Sequence, residues 1–115
     1  MTLSKNDILN HDDLRIEIVE VPEWGGCVRV ATMSAFARDR FEASIAKIGG
    51  GVDMQNIRAK LAIATIVDDN NKPMFNEHDI EKLGQKSCAA LDRVFASAQR
   101  LNLISDKDVE TLAKK

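Results

Sequence analysis

Residues 54–67 constrain this chain more than any other stretch. After Lys60 they run Leu61-Ala62-Ile63-Ala64-Thr65-Ile66-Val67, which is apolar on nearly every side of a helix. A helix without a polar face is stable only when other elements surround it, so this segment is the expected centre of the fold. At 115 residues the chain can build one hydrophobic core and is too short for two ordinary domains, so residues 1–115 are expected to form a single domain. With four Phe, one Trp and no Tyr, the core must come mainly from Ile, Leu, Val and Ala, which favours helix packing.

The elements available to surround that segment follow from periodicity. Residues 14–21, Leu-Arg-Ile-Glu-Ile-Val-Glu-Val, alternate apolar and charged and then change phase at Ile18-Val19, which predicts a half-buried strand with a bulge. Pro22-Glu23-Trp24-Gly25-Gly26 supplies a turn, and residues 27–32 place Val28 and Val30 on one face and Arg29 on the other, completing an antiparallel hairpin. One hairpin is marginal alone and must lie against helices or against another copy's sheet edge. Ser34 predicts the cap of a helix to about residue 48, with Ala37, Phe41, Ile45 and Ile48 in one stripe, ended by Gly49-Gly50-Gly51. Residues 68–73, Asp-Asp-Asn-Asn-Lys-Pro, stop the central helix in an exposed turn, and Asn76 caps a short helix through about Leu83. Beyond Gly84, a helix over about 86–101 carries Cys88, Leu91, Val94, Phe95, Ala98 and Leu101 at spacings of three and four.

The two ends are less strongly specified. Ser4 suits the cap of a short helix over 3–10, but with only Ile8 and Leu9 as anchors residues 1–12 fit a loose arm equally well. Ser105 with Asp108 resembles a capping box for a last helix over 105–115, expected to fray because only Val109 and Leu112 hold it. The expected fold is therefore α+β and mainly α-helical: an N-terminal β-hairpin followed by four to five helices in a small bundle.

Several chemistries are disfavoured by the residues themselves. The net charge of -2 provides no global positive field for phosphate backbones or an anionic membrane, so neither nucleic acid nor membrane is an expected partner. Cys27 and Cys88 stand far apart and outside any CxxC or Cys/His cluster, which excludes a disulfide scaffold and a zinc finger pattern and fits a reduced compartment. No apolar run approaches the ~20 residues that span a bilayer, and Met1-Thr2-Leu3-Ser4-Lys5-Asn6 lacks the apolar region of a signal peptide, so a cytoplasmic location is expected. The triple glycine is followed by Val52-Asp53-Met54 instead of the Lys and Ser or Thr of a phosphate loop, and reads as a flexible linker. Registering a calcium loop on Asp68 puts Pro73 at the required glycine and Asp79 where a bidentate Glu belongs. His11 and His78 have no second ligand at metal spacing, and the pairs Asp12-Asp13 and Asp68-Asp69 lie in exposed turns without the burial that tunes a pKa. No catalytic, cofactor or metal site is expected.

Two features suit a protein partner instead. Lys86, Arg93 and Arg100 recur at seven and share one helical flank, which would receive an acidic helix; the plainer alternative is that they cover the edge of the core stripe. Trp24 at the hairpin tip either anchors a partner or folds back on its own hairpin.

The C-terminal half also has familiar wording: Asn56-Ile57-Arg58-Ala59-Lys60-Leu61, Ile66-Val67-Asp68-Asp69, then Asp79-Ile80-Glu81-Lys82-Leu83-Gly84-Gln85-Lys86-Ser87, Ala89-Ala90-Leu91-Asp92-Arg93-Val94-Phe95 and Ala98-Gln99-Arg100-Leu101-Asn102. This resembles the tail assembly chaperones of long-tailed bacteriophages and prophages, over most of the chain and best from Val28 onward. The resemblance implies a non-enzymatic protein, without cofactor, that coats the tape measure protein, keeps it soluble and helps recruit tail tube subunits in the host cytoplasm. It also implies that a longer, frameshifted form accompanies the short one. A coat of many copies needs a repeated head-to-tail contact, which gives rings or open spirals. The rival reading of the residues is a small helical nucleic-acid-binding regulator, because 80–101 is two helices around a Gly; net acidity and the lack of a Lys/Arg-rich recognition face stand against it.

Overall fold

The computed structural model describes residues 1–103, so the expected helix over 105–115 lies outside the described residues. The hairpin forms as the alternation requires: β1 (Ile16–Val21) pairs antiparallel with β2 (Gly26–Ala31), from Ile16 opposite Ala31 to Val21 opposite Gly26. Between them a single 3-10 turn, Pro22–Trp24, closes on Gly25, whose φ of +75° is left-handed and suits a residue without Cβ.

The predicted bulge is absent, since each β1 residue faces one β2 residue in unbroken register. The phase change has another cause. Glu17, Val19 and Val21 share the inner face with Val28 and Val30, while Ile18 stands on the outer face and is 55% exposed. A carboxylate thus holds an inward position, which is tolerable because the helix opposite supplies its partners.

The central segment differs at its end. Its helix, α3 (Ile57–Thr65), stops two residues early, and Ile66–Val67 form a third strand, β3, antiparallel to β2 in the order β1-β2-β3. The cause lies in the turn that follows. The Asp68 carboxylate accepts from the Asn70 amide (2.8 Å) and the Lys72 amide (3.0 Å), and the Asp68 amide donates to the Lys72 carbonyl (2.8 Å). This folds the chain back so that Val67 bridges Pro73, and the two β-branched residues exchange helical hydrogen bonds for a ladder with β2. Helix α2 (Ala35–Ile45) starts at its expected cap, with the Ser34 hydroxyl accepting from the Ala37 amide at 3.1 Å, and ends before Ile48, which is fully exposed. The three glycines are a closed turn and not a loose linker: all have positive φ, the Lys47 amide donates to the Gly51 carbonyl, and Ala46 bridges Val52.

After Asn76 caps the turn Glu77–Asp79, α4 (Ile80–Gly84) follows and then α5 (Cys88–Leu101), capped by Ser87. Helix α5 packs on the inner face of β1 and β2, α3 packs on α5, and α2 and α4 pack on α3. Val21, Val30, Ile45, Leu61, Ile66 and Val94 are all but sealed from solvent in one cluster. The short N-terminal helix α1 (Lys5–Asn10) is closed by a reciprocal Ser4–Asp7 capping box, yet residues 1–15 are exposed throughout, and Ile8 and Leu9 do not join the core cluster of the described residues.

Asn102 ties the end of α5 to the start of α2. Its side-chain oxygen accepts from the Met33 amide (2.5 Å), its amide nitrogen donates to the Ala98 (2.9 Å) and Ala31 (3.4 Å) carbonyls, and its own carbonyl accepts from Arg38 (3.3 Å). Asn102→Ala leaves the Met33 amide without its side-chain acceptor, while the main-chain carbonyl that Arg38 uses is retained, and is expected to lower stability by about 1–3 kcal/mol. Ile48→Ala, on a fully exposed side chain, should stay within about 0.5 kcal/mol. Urea unfolding of the two variants measures both.

Candidate partner-binding surfaces

The first surface lies where α5 meets the hairpin. Burial of Leu91, Val94 and Ala98 turns Arg93 and Arg100 toward β1 and its turn. There the Arg93 Nε donates to both Glu23 carboxylate oxygens, at 2.9 and 3.2 Å, and an Arg100 Nη2 donates to Glu17 at 2.5 Å. The buried Ser97 hydroxyl donates to the other Glu17 oxygen at 3.0 Å, which completes the partners of this inward carboxylate. Lys86 is exposed and precedes the Ser87 cap, so the seven-residue spacing places only Arg93 and Arg100 on a common helical flank. Trp24 is half-buried and packs against the core cluster from the hairpin turn.

The electrostatics of this surface are those of exchangeable pairs. The hydrogen bond from Arg93 is the main cause holding the Glu23 carboxyl below its ordinary value, with the turn's own backbone amide second. On the same helix Asp92 is held low first by Arg58 and then by the Cys88 thiol, and the Arg58 guanidinium lies 6.0 Å from the centre of the Phe95 ring. The Arg93 and Arg100 side chains remain 48% and 65% exposed. An ion pair as open as Arg93–Glu23 contributes about 1 kcal/mol or less, so an incoming carboxylate can replace Glu23 at small cost, whereas the inward Glu17 depends on Arg100 and Ser97.

The second surface is an apolar groove of about 650 Å³ between α2, α3 and residues 73–80. Ala37, Phe41, Ile63, Ala64 and Phe75 form its floor, and Phe36, 71% exposed, stands at its rim. The Arg40 guanidinium sits 5.8 Å over the Phe36 ring and 2.7 Å from Glu77, and Lys60 reaches across to the Ser44 carbonyl at 2.9 Å. Sequence reading passed over this groove because the stripe Ala37-Phe41-Ile45 accounted for α2. The signal was present in Phe36 and Arg40, a second flank four residues apart, and in Phe75 immediately beyond the turn. Among the described residues no three His, Cys, Asp or Glu side chains gather where they could hold a metal ion, and no helix is long and apolar enough to cross a membrane.

Comparison with known proteins agrees with this architecture. A family model described as phage tail assembly chaperone matches residues 5–115. Among solved structures the chain is similar to the tail assembly chaperone of bacteriophage HK97, with a TM-score of 0.61 and 22% identity over 84% of this chain and 89% of that one. At that identity the likeness shows a shared fold. No curated protein matches the chain.

The Arg93–Glu23 pair has a measurable pH signature. A carboxylate whose folded pKa is depressed adds stability above its unfolded pKa, and loses it as the pH falls through the folded one. For Glu23 the contribution is therefore complete above the ordinary 4.5 and disappears in more acidic solution. In an NMR titration the Glu23 carboxyl should titrate below 4.5 in the parent chain and move up toward it in Arg93→Ala, with the backbone amide of the turn still holding it low. Identical titration curves would mean that the pair is not formed in solution.

Proposed function

The chain belongs to the phage tail assembly chaperone family, and we propose on that premise that it binds the tape measure protein of a long-tailed phage, keeps that polypeptide soluble and helps recruit tail tube subunits, without catalysing a reaction. The observation that carries this reading is the family match over residues 5–115, which takes in both surfaces described above. Its setting is the host cytoplasm, where tails are assembled.

The physical features support such a role. A long client must be covered by many copies, and a head-to-tail contact between unlike surfaces generates the ring or spiral that covering requires. The sheet order leaves the outer edge of β1 without a strand partner among the described residues, and residues 1–15 project unburied beside it. For the client itself we assign the strip of Trp24, Lys86, Arg93 and Arg100. The Arg93 guanidinium is held by Glu23 in an open ion pair that an acidic helix can displace, and the half-buried Trp24 follows Glu23 in the same turn.

Co-expression with the tape measure protein encoded beside it tests the proposal. The tape measure protein should become soluble and co-purify with this chain in large excess, and Lys86→Glu combined with Arg93→Glu should lower capture about tenfold, equivalent to ~1.4 kcal/mol. A tape measure protein that stays insoluble and unbound would remove the client from the proposal. Full capture by the double variant would move the client site elsewhere on the chain.

A further inference from the structure

We propose that the apolar groove between α2, α3 and residues 73–80 receives the N-terminal arm, α1, of a second copy of this chain. The inference rests on the self-association part of the proposed function and deepens it by naming the two halves of the contact.

The arm is a helix whose apolar side chains are exposed. A six-residue helix is far below the ~12–15 residues at which isolated helices become even marginal in water, so its order must come from packing elsewhere. Yet Leu3, Ile8 and Leu9 are 55%, 58% and 69% exposed, and residues 1–15 include no buried position. Capping is complete: the Asp7 carboxylate accepts from the Ser4 amide, and the Ser4 hydroxyl accepts from the Asp7 amide. The helix is thus finished at its start and exposed along its side. The groove has the opposite deficiency. Ile63 and Ala64 belong to the helix that is apolar all round, but on this flank they are only half-buried, with Phe36 open at the rim.

Charge sorts the partners. The arm carries Asp7, Asp12 and Asp13 against Lys5 and, at its root, Arg15, whereas the groove presents Arg40 and Lys60 against a single carboxylate, Glu77. The root of the arm is fixed, with the Arg15 amide donating to the Thr32 hydroxyl and the Thr32 amide to the Arg15 carbonyl. From there residues 1–14 run without a buried position, which leaves them open to a neighbour. Arm and groove are unlike surfaces, and their union is a heterologous contact that propagates from copy to copy.

Two variants of the full chain separate the halves: Ile8→Asp with Leu9→Asp for the arm, and Phe36→Asp for the groove. All three side chains are exposed, so far-UV circular dichroism and thermal melts should match those of the parent chain. In light scattering coupled to gel filtration, the parent chain should assemble and each variant alone should run at monomer mass. Mixed one to one, the variants should stop at a heterodimer, because only one intact arm meets one intact groove. Variants that assemble like the parent chain, or a mixture that stays monomeric, would overturn the arm-to-groove contact and leave self-association standing on other surfaces. A parent chain that is monomeric at every concentration, alone and with the tape measure protein, would overturn self-association itself.

Discussion

Enclosure of α3 is the constraint on which the rest of this structure depends. Its residues Leu61, Ala62 and Thr65 are within 1% of complete burial, and the buried Thr65 hydroxyl is satisfied within the helix by the Leu61 carbonyl at 2.7 Å. Helix α5 covers one side, α2 and α4 cover others, and β3 grows directly from its end into the sheet. Coverage stops short at Ile63 and Ala64, which stay half-buried. What remains is a groove with an apolar floor. An apolar flank left open on a small domain is a place for another protein to sit.

The polar interactions follow from the same arrangement. Because α5 lies between α3 and the hairpin, its exposed flank faces β1, and an inward Glu17 becomes tolerable only with Ser97 and Arg100 opposite. Arg93 and Glu23 repeat the pairing at the turn. These contacts orient α5 on the sheet while contributing little each, as open ion pairs do. The structure therefore separates a sealed interior, which sets stability, from a charged seam and an apolar groove that remain available for association.

Much of this was legible in the residues. The hairpin, the caps at Ser34 and Asn76 and the core stripe of α5 follow from alternation, capping chemistry and three-four spacing, each a local property. What escaped was non-local. Ile66 and Val67 read as helix because only their pairing with β2 makes them a strand, and that partner lies over thirty residues away in sequence. The apparent bulge at Ile18-Val19 was a carboxylate facing inward, whose reason, the seam with α5, is invisible from the strand alone. Lys86 fell off its helix because Ser87 caps it. Arg93 and Arg100 could be placed on one flank from spacing, but their carboxylate partners lie seventy and more residues earlier. The groove was missed because two helices and a loop create it together.

In the contact proposed above, the flank left open on α3 is completed by another molecule of the same chain. Hydrogen–deuterium exchange across a dilution series measures it directly. Amides of residues 5–10 and of residues 74–80 should slow together at the concentration where the assembly forms, while amides in β1 and β2 remain as they were. If residues 5–10 exchange equally fast in the assembled and dilute protein, the arm does not complete that flank and the claim is wrong.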